Sequence, residues 1–330
     1  MSLLVFSSAN RIAQGVIKQL SSSNLFEKIV CADIFPNYFA LQRFINFRSQ
    51  LANASIPITD VKISERTDLY KAIHSSSHIL YITHDYYSLV PSKINLIKTV
   101  AEIAKHSKQI EKFVALTPVE YDHYSEPNPW LAARKSEEEA TEIFPDLVHL
   151  KSDITFGPHS TIANVLLSRI MNNQNVAFQP RLPNEEVSPI HTDDLAKIVE
   201  TAFKNKRIKG KAYALQGPEK VTLGEYLSIL QKYTGNAIRL NEDIVEKTIP
   251  PYAENIISEK LYDPEYRNLT NFFRQYRALE TSGLEPIDAF KLKQPISLSS
   301  AYPAKGVDVT LYKEEEADRL EKLIKNYLYS

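Results

Sequence analysis

The first twenty residues, MSLLVFSSANRIAQGVIKQL, constrain the fold more than any other stretch. Leu3 to Phe6 form an apolar run that stops at Ser7-Ser8. Asn10 then precedes Ile12, Val16, Ile17 and Leu20, which recur at helical spacing. Strand, tight turn and helix in that order open a doubly wound sheet, whose first turn is the usual seat of a pyrophosphate. Such a turn relies on glycines at fixed spacing. Anchored on Ala9, the matching positions are Ser8, Arg11 and Gln14, and all three carry side chains. The bulk of Arg11 and Gln14 is expected to fill space that a pyrophosphate or a close helix–strand contact needs. The N–H groups at the helix start still form an anion site, so Ser7, Ser8, Asn10, Arg11 and Ile12 are the candidate cofactor contacts. A turn kept only as scaffold and a turn with bound nucleotide both stay open.

Glycine is scarce throughout. The chain has 8, about a third of the usual ~7% share. After Gly15 the next is Gly157, so the amino-terminal half offers few places for close backbone approach.

Apolar, β-branched runs recur at Leu3–Phe6, Lys28–Asp33, Ile58–Ile63, Ile79–Thr83, Phe113–Thr117 and Leu147–Lys151. Amphipathic stretches such as Tyr38–Ala52, Ser92–His106 and Ser136–Ile143 separate them. Strands that alternate with helices, and that are apolar without interruption, predict a parallel sheet covered on both faces. The expected fold class is α/β: a Rossmann-type doubly wound sheet, a smaller α+β carboxyl-terminal part, and an extended arm ending in an amphipathic helix. The expected boundaries are 1–160 for the degenerate dinucleotide-binding core, 161–235 for the carboxyl-terminal part of the same domain, and 236–330 for a docking arm. Within the second part, Thr161–Met171 reads as a helix, Pro189-Ile190-His191 as a short strand, Thr192 or Asp193 as the cap of the next helix, and Thr222 as another cap. The arm holds Tyr252, Tyr262, Tyr266, Phe272, Phe273, Tyr276 and Phe290, too aromatic for a solvated tail. Leu311–Leu328 carries one apolar stripe, with acids early and lysines late.

Composition excludes several classes. A net charge of -1, with 24% charged residues, gives no basic excess for nucleic acid. The single cysteine, Cys31, cannot build a disulfide framework. No apolar run approaches the ~18 residues of a membrane span, and no cleavable presequence is visible.

The carboxyl ends of the predicted strands carry further candidates. Asp33 stands where an acidic residue takes ribose hydroxyls, or is simply a turn residue at a strand end; Thr83 and Thr117 end the fourth and fifth strands. In WLAARKSEEEA, Lys135 begins a helix and could hold a ribose, or be a solvated charge. A Tyr four residues before such a Lys would supply a general acid/base. Leu131 stands there, and counting from Arg134 gives Trp130. No catalytic residue is therefore assigned, and the chain is expected not to be an enzyme. His74 and His78 straddle a loop, and His191 with Asp193 and Asp194 fits a strand end and helix cap, so no metal site is assigned.

These pieces resemble the extended and atypical short-chain dehydrogenase/reductase superfamily over about residues 2–235, through SDITFGPHSTIANVLL and VSPIHTDDLAKIVETAF. RKSEEEATEIFPDLVHLKSDITFG, GKAYALQGPEKVTLGEYL and the ending KGVDVTLYKEEEADRLEKLIKNY are similar to one branch, the dehydrogenase-like accessory subunits of mitochondrial respiratory complex I of the alpha-subcomplex subunit 9 type. That resemblance implies a peripheral subunit on the matrix side of the mitochondrial inner membrane, partnered by other respiratory subunits. It also implies a tightly held NADP(H) with a structural role and no turnover. The lost glycines count against that nucleotide. The alternatives are an active NAD(P)-dependent reductase or epimerase and a dinucleotide-sensing regulator of the NmrA-like type.

Overall fold

The computed structural model describes residues 1–8, 10–33, 54–63, 66–82, 96–118, 129–171, 176–177, 186–235, 240–241 and 284–302. The expected helix over 38–52, Thr83, the aromatic residues at 252–276 and the expected terminal helix over 311–328 lie outside them.

Strands and helices alternate from the first residues. They are β1 (Ser2–Phe6), α1 (Arg11–Ser22), β2 (Lys28–Asp33), β3 (Ile58–Lys62), α2 (Arg66–His74), β4 (His78–Ile82), α3 (Leu96–His106), β5 (Lys112–Pro118), α4 (Pro129–Ile143) and β6 (Val148–Ser152). There follow β7 (Thr155–Phe156), α5 (Thr161–Met171), β8 (Val176–Ala177), β9 (Glu186–Val187), β10 (Ile190–His191), α6 (Thr192–Lys204) and β11 (Ala212–Leu215). Next come β12 (Val221–Thr222), α7 (Leu223–Thr234) and β13 (Leu240–Asn241), and, after residues outside the described set, a 3-10 turn (Ile287–Phe290) and a short helix α8 (Leu298–Ala301).

The main sheet has seven strands in the order β11-β6-β5-β4-β1-β2-β3 among the described residues. Its pairings are parallel, with Val5 opposite Cys31 on one side of β1 and opposite Leu80 on the other. The strand order reverses beside β1, which is where open α/β sheets present a crevice. The apolar runs are uninterrupted because both faces are covered. Leu3 and Val5 point into a core with Ile12, Val16 and Ile17 of α1 and Ile198 and Val199 of α6. Leu4 and Phe6 point the other way, among Leu69 and Ile73 of α2 and Ile97 and Val100 of α3. Each such side chain, buried to completion, contributes roughly 1.5–3 kcal/mol.

Two compact units emerge. One comprises Met1–Asn164, Glu186–Val221 and Arg277–Leu298; the other comprises Val165–Glu185, Thr222–Tyr276 and Ser299–Ser330. In the first, the segment 284–298 returns to the sheet. Glu285 pairs with the edge strand β11: its N–H donates to Ala212 O at 2.9 Å and its carbonyl accepts from Ala214 N at 2.9 Å. Phe290 is buried edge-on against Tyr213. In the second unit, Thr222 and Glu225 form a reciprocal capping box at the start of α7, and Gly235, left-handed at φ 74°, ends it. Tyr226 is buried in this unit, and burial raises its phenol well above the ordinary range.

Candidate functional site

The turn between β1 and α1 is built on Ser7, whose φ is +59°. That is the left-handed region where glycine is favoured, and a serine there is strained by about 1 kcal/mol or more. The turn is closed by the Asn10 N–H donating to Ser7 O at 3.0 Å. This geometry shifts the expected register by one residue. With the left-handed position at Ser7, the positions three and six residues on are Asn10 and Ala13, rather than Arg11 and Gln14 counted from Ser8. Ala13 is fully buried, so the close helix–sheet contact is kept with a methyl group. Arg11 and Gln14 are half-buried. Asn10 is the substitution that matters.

Asn10 caps α1: its Oδ1 accepts from the Ile12 N–H at 2.7 Å. Asparagine is a strong cap, worth about 1 kcal/mol over alanine. The cap occupies one of the N–H groups that a glycine turn leaves for phosphate. Around it lie buried polar atoms without a hydrogen-bond partner: Ser8 Oγ, Asn10 Nδ2 and Gln14 Nε2. Ser8 is fully buried and Asn10 is 4% exposed. The first turn of α1 carries no acidic residue. An anionic group with several acceptor oxygens would answer these donors.

Gly15, the only glycine before Gly157, serves something else. A β-carbon on it would come within 2.8 Å of His159 Cδ2. The glycine admits the imidazole of the loop after β7 onto the face of α1. Burial, above all, lowers the His159 pKa; Asp193 opposes this, and Lys18, Arg11 and His191 reinforce it.

The other candidates spread along the carboxyl edge of the sheet. Asp33 ends β2, the neighbour of β1, opposite Lys62 in register. Thr117, near the end of β5, is fully buried and its Oγ1 has no partner. Thr83 lies outside the described residues. Lys135 is exposed on α4, and its charge acts on Glu139 one turn later. Glu139 is itself held below the usual carboxylate range, chiefly by its hydrogen bond to Lys98 of α3 at 2.8 Å. Lys135 thus sits beside a surface ion pair that joins α3 to α4. The structure brings Ser7, Ser8, Asn10, Arg11 and Ile12 together with the ends of β2 and β5 on one edge.

The acidic and histidine motifs have structural work. His191, not Thr192 or Asp193, is the cap of α6, its Nδ1 accepting from the Asp193 N–H at 3.1 Å. Burial lowers its pKa, with Asp193 and Asp194 opposing. Asp153 accepts from Ile154 N at 2.6 Å and Ser188 N at 2.8 Å. Asp194, 1% exposed, takes Lys197 Nζ at 2.9 Å and Ile296 N at 2.6 Å. His74 stacks on Tyr70, while His78 is boxed edge-on by Phe26 and Phe203. Among the described residues no group of three or more His, Cys, Asp and Glu side chains gathers. Cys31 is buried in β2. The sequence reading missed Asn10 Nδ2 and Ser8 Oγ as unmet donors; the pairing of polar residues with a buried strand end was the available signal.

No family model matches the chain. Over 219 residues it is 25% identical to NADH dehydrogenase [ubiquinone] 1 alpha subcomplex subunit 9, mitochondrial, of Dictyostelium discoideum, covering 64% of this chain and 59% of that protein. The chain thus spans well under two thirds of that relative's length. Among solved structures, a nucleoside-diphosphate-sugar epimerase from Staphylococcus aureus superposes with a TM-score of 0.63 at 13% identity, over 92% of this chain and 99% of that one. UDP-glucuronic acid 4-epimerase from Bacillus cereus, in complex with UDP-glucuronic acid and NAD, superposes at 0.58 and 18% identity, over 73% and 85%. The chain therefore has the Rossmann-like fold of the short-chain dehydrogenase-type epimerases and is similar in sequence to a complex I alpha-subcomplex subunit 9.

Proposed function

We propose that this chain is a non-catalytic, dehydrogenase-like accessory subunit of mitochondrial respiratory complex I. It is a peripheral subunit on the matrix side of the inner membrane, and NADP(H) serves it as a structural ligand. The observation that carries the reading is chemical. Four residues before Lys135 stands Leu131, which has no proton to give or take, and Lys135 itself is exposed. A nicotinamide dinucleotide supplies a hydride when bound; this chain adds no ionisable group at the position that must move the matching proton. The sequence likeness to an alpha-subcomplex subunit 9 supports the choice of assembly. No helix among the described residues is long and apolar enough to cross a membrane, in keeping with attachment through partners.

The test is native electrophoresis of mildly solubilised mitochondrial membranes that carry the tagged chain. It is expected to migrate with NADH dehydrogenase activity; migration only as a free monomer sinks the reading. A second reading, an active reductase or epimerase, draws on the fold shared with nucleotide-sugar epimerases. It requires turnover of NADPH with a carbonyl compound, or of a UDP-sugar, by the purified chain.

A further inference from the structure

The ring nitrogen that caps α6 is an acceptor only while the imidazole is neutral. His191 Nδ1 accepts from the Asp193 N–H at 3.1 Å, so the ring's one proton sits on Nε2. A second proton would turn Nδ1 into a donor facing a donor, and would set a cation at the positive end of a 13-residue helix. The Asp193 carboxylate stands 3.8 Å from the same nitrogen and offers the protonated ring another partner. Thr192, the next residue, does not double the cap: it is 2% exposed and its Oγ1 has no hydrogen-bond partner. The ring is held without slack. It meets Phe156 edge-on with centroids 5.1 Å apart, and a β-carbon on Gly157 would come within 2.5 Å of Nε2. Burial weakens the ring's hold on a second proton, Lys197 adds to this, and Asp193 and Asp194 oppose it. His159, in the loop after β7, is the other titratable neighbour, and it faces Arg11 and Lys18 of α1. β7, paired with β10, brings Phe156 and then Gly157 to the ring, and neither is charged.

The same first turn holds a distant part of the chain. Asp194 is 1% exposed and accepts from the Ile296 N–H at 2.6 Å, which anchors the segment 284–298 that pairs with β11 through Glu285. We infer that His191 is an acid-operated latch: neutral, it caps α6; protonated, it turns to the Asp193 carboxylate, frays the first turn of the helix and frees the returning segment that Asp194 holds there. The margin so uncovered is β11, with the Tyr213 ring on which Phe290 packs. The folded protein binds the second proton less tightly than an ordinary histidine of pKa 6.5 does. The closed state is therefore favoured above that pH and loses its advantage as the pH falls below it.

The test is hydrogen exchange of the full chain, read by mass spectrometry at about pH 7.5 and about pH 5.5, with each rate divided by the intrinsic rate at that pH. Protection over 190–196 and over 284–298 is expected to fall about fivefold at the lower pH, the size of a lost cap, while β1 and β4 keep theirs. In His191→Asn, Oδ1 takes the place of Nδ1 on the Asp193 N–H and does not titrate, so protection should be equal at both pH values. Asp193→Asn removes the carboxylate that favours the protonated ring and should move the step to lower pH. Wild-type protein without the step, or a step that persists in His191→Asn, overturns the latch; a persisting step that disappears in His159→Gln would belong to that ring instead. A step shared equally by β1 and β4 is global unfolding and also overturns it. Loss of protection confined to 190–196 overturns the link to the returning segment. Should His191→Asn fail to fold by circular dichroism, Asp193→Asn decides, and an unmoved step there overturns the latch.

Discussion

The His159 ring rests on Gly15 so closely that any β-carbon on the glycine would press into it, at 2.8 Å from Cδ2 and 2.9 Å from Cγ. Inside a helix, Gly→Ala ordinarily stabilises by ~1 kcal/mol. Here the sign is expected to reverse, because overpacking costs about 1–3 kcal/mol. Gly15→Ala should lower the denaturant midpoint, and adding His159→Ala should restore it. A single variant more stable than wild type would show that the imidazole moves aside freely.

Lys112 lies at the other end of the sheet, on β5. Its Nζ donates to the Asn205 carbonyl, at the carboxyl end of α6, at 2.8 Å. Burial pushes its pKa from the ordinary 10.5 down to about 8. A lysine with a lowered folded-state pKa binds its proton less tightly than the unfolded chain does. Folding stability should therefore rise with pH between about 8 and 10.5, and its protonation contributes no slope well below 8. Urea titrations across that range should show the rise, and Lys112→Met should flatten it. An equal slope in wild type and variant would assign the effect elsewhere.

Asp194 ties α6 to the returning segment through the Ile296 N–H at 2.6 Å. Removing a buried, paired carboxylate leaves that N–H unmet, at a cost of about 2–4 kcal/mol. Asp194→Ala should also speed hydrogen exchange at 284–298 ahead of the main sheet. Exchange that rises uniformly would show that this segment unfolds only with the whole domain.

Lys135 is exposed beside the Lys98–Glu139 pair. Lys135→Ala should change stability by no more than about 0.5 kcal/mol, as surface substitutions do. It should leave co-migration with NADH dehydrogenase activity intact. Loss of nucleotide in this variant would instead show a ribose-binding lysine.

The sheet was legible because a parallel sheet covered on both faces admits only apolar residues. Leu3 through Phe6 serve two cores at once, and their run could not read otherwise. The turn was harder. With glycines gone, nothing in SSAN marks the left-handed residue; only the backbone shows it is Ser7 and not Ser8. His191 hid as a cap because Thr192 and Asp193 are commoner capping types, and a ring nitrogen took the role instead. Phe290 was visible as an aromatic residue in need of a neighbour, but Tyr213 lies far off in sequence, and no local pattern joins them. Ser8 and Asn10 were candidates from their place in the turn, but only their burial shows that Ser8 Oγ and Asn10 Nδ2 lack partners.

Among the described residues, Glu285 occupies one rung on the outer side of β11, and its carboxylate meets Lys211 Nζ at 2.7 Å. A sheet margin that ends in a single residue and an ion pair makes a poor template for a foreign strand. On that side the protein is guarded against growing into ribbons with copies of itself, and neighbours must grip it there by side chains rather than by shared backbone.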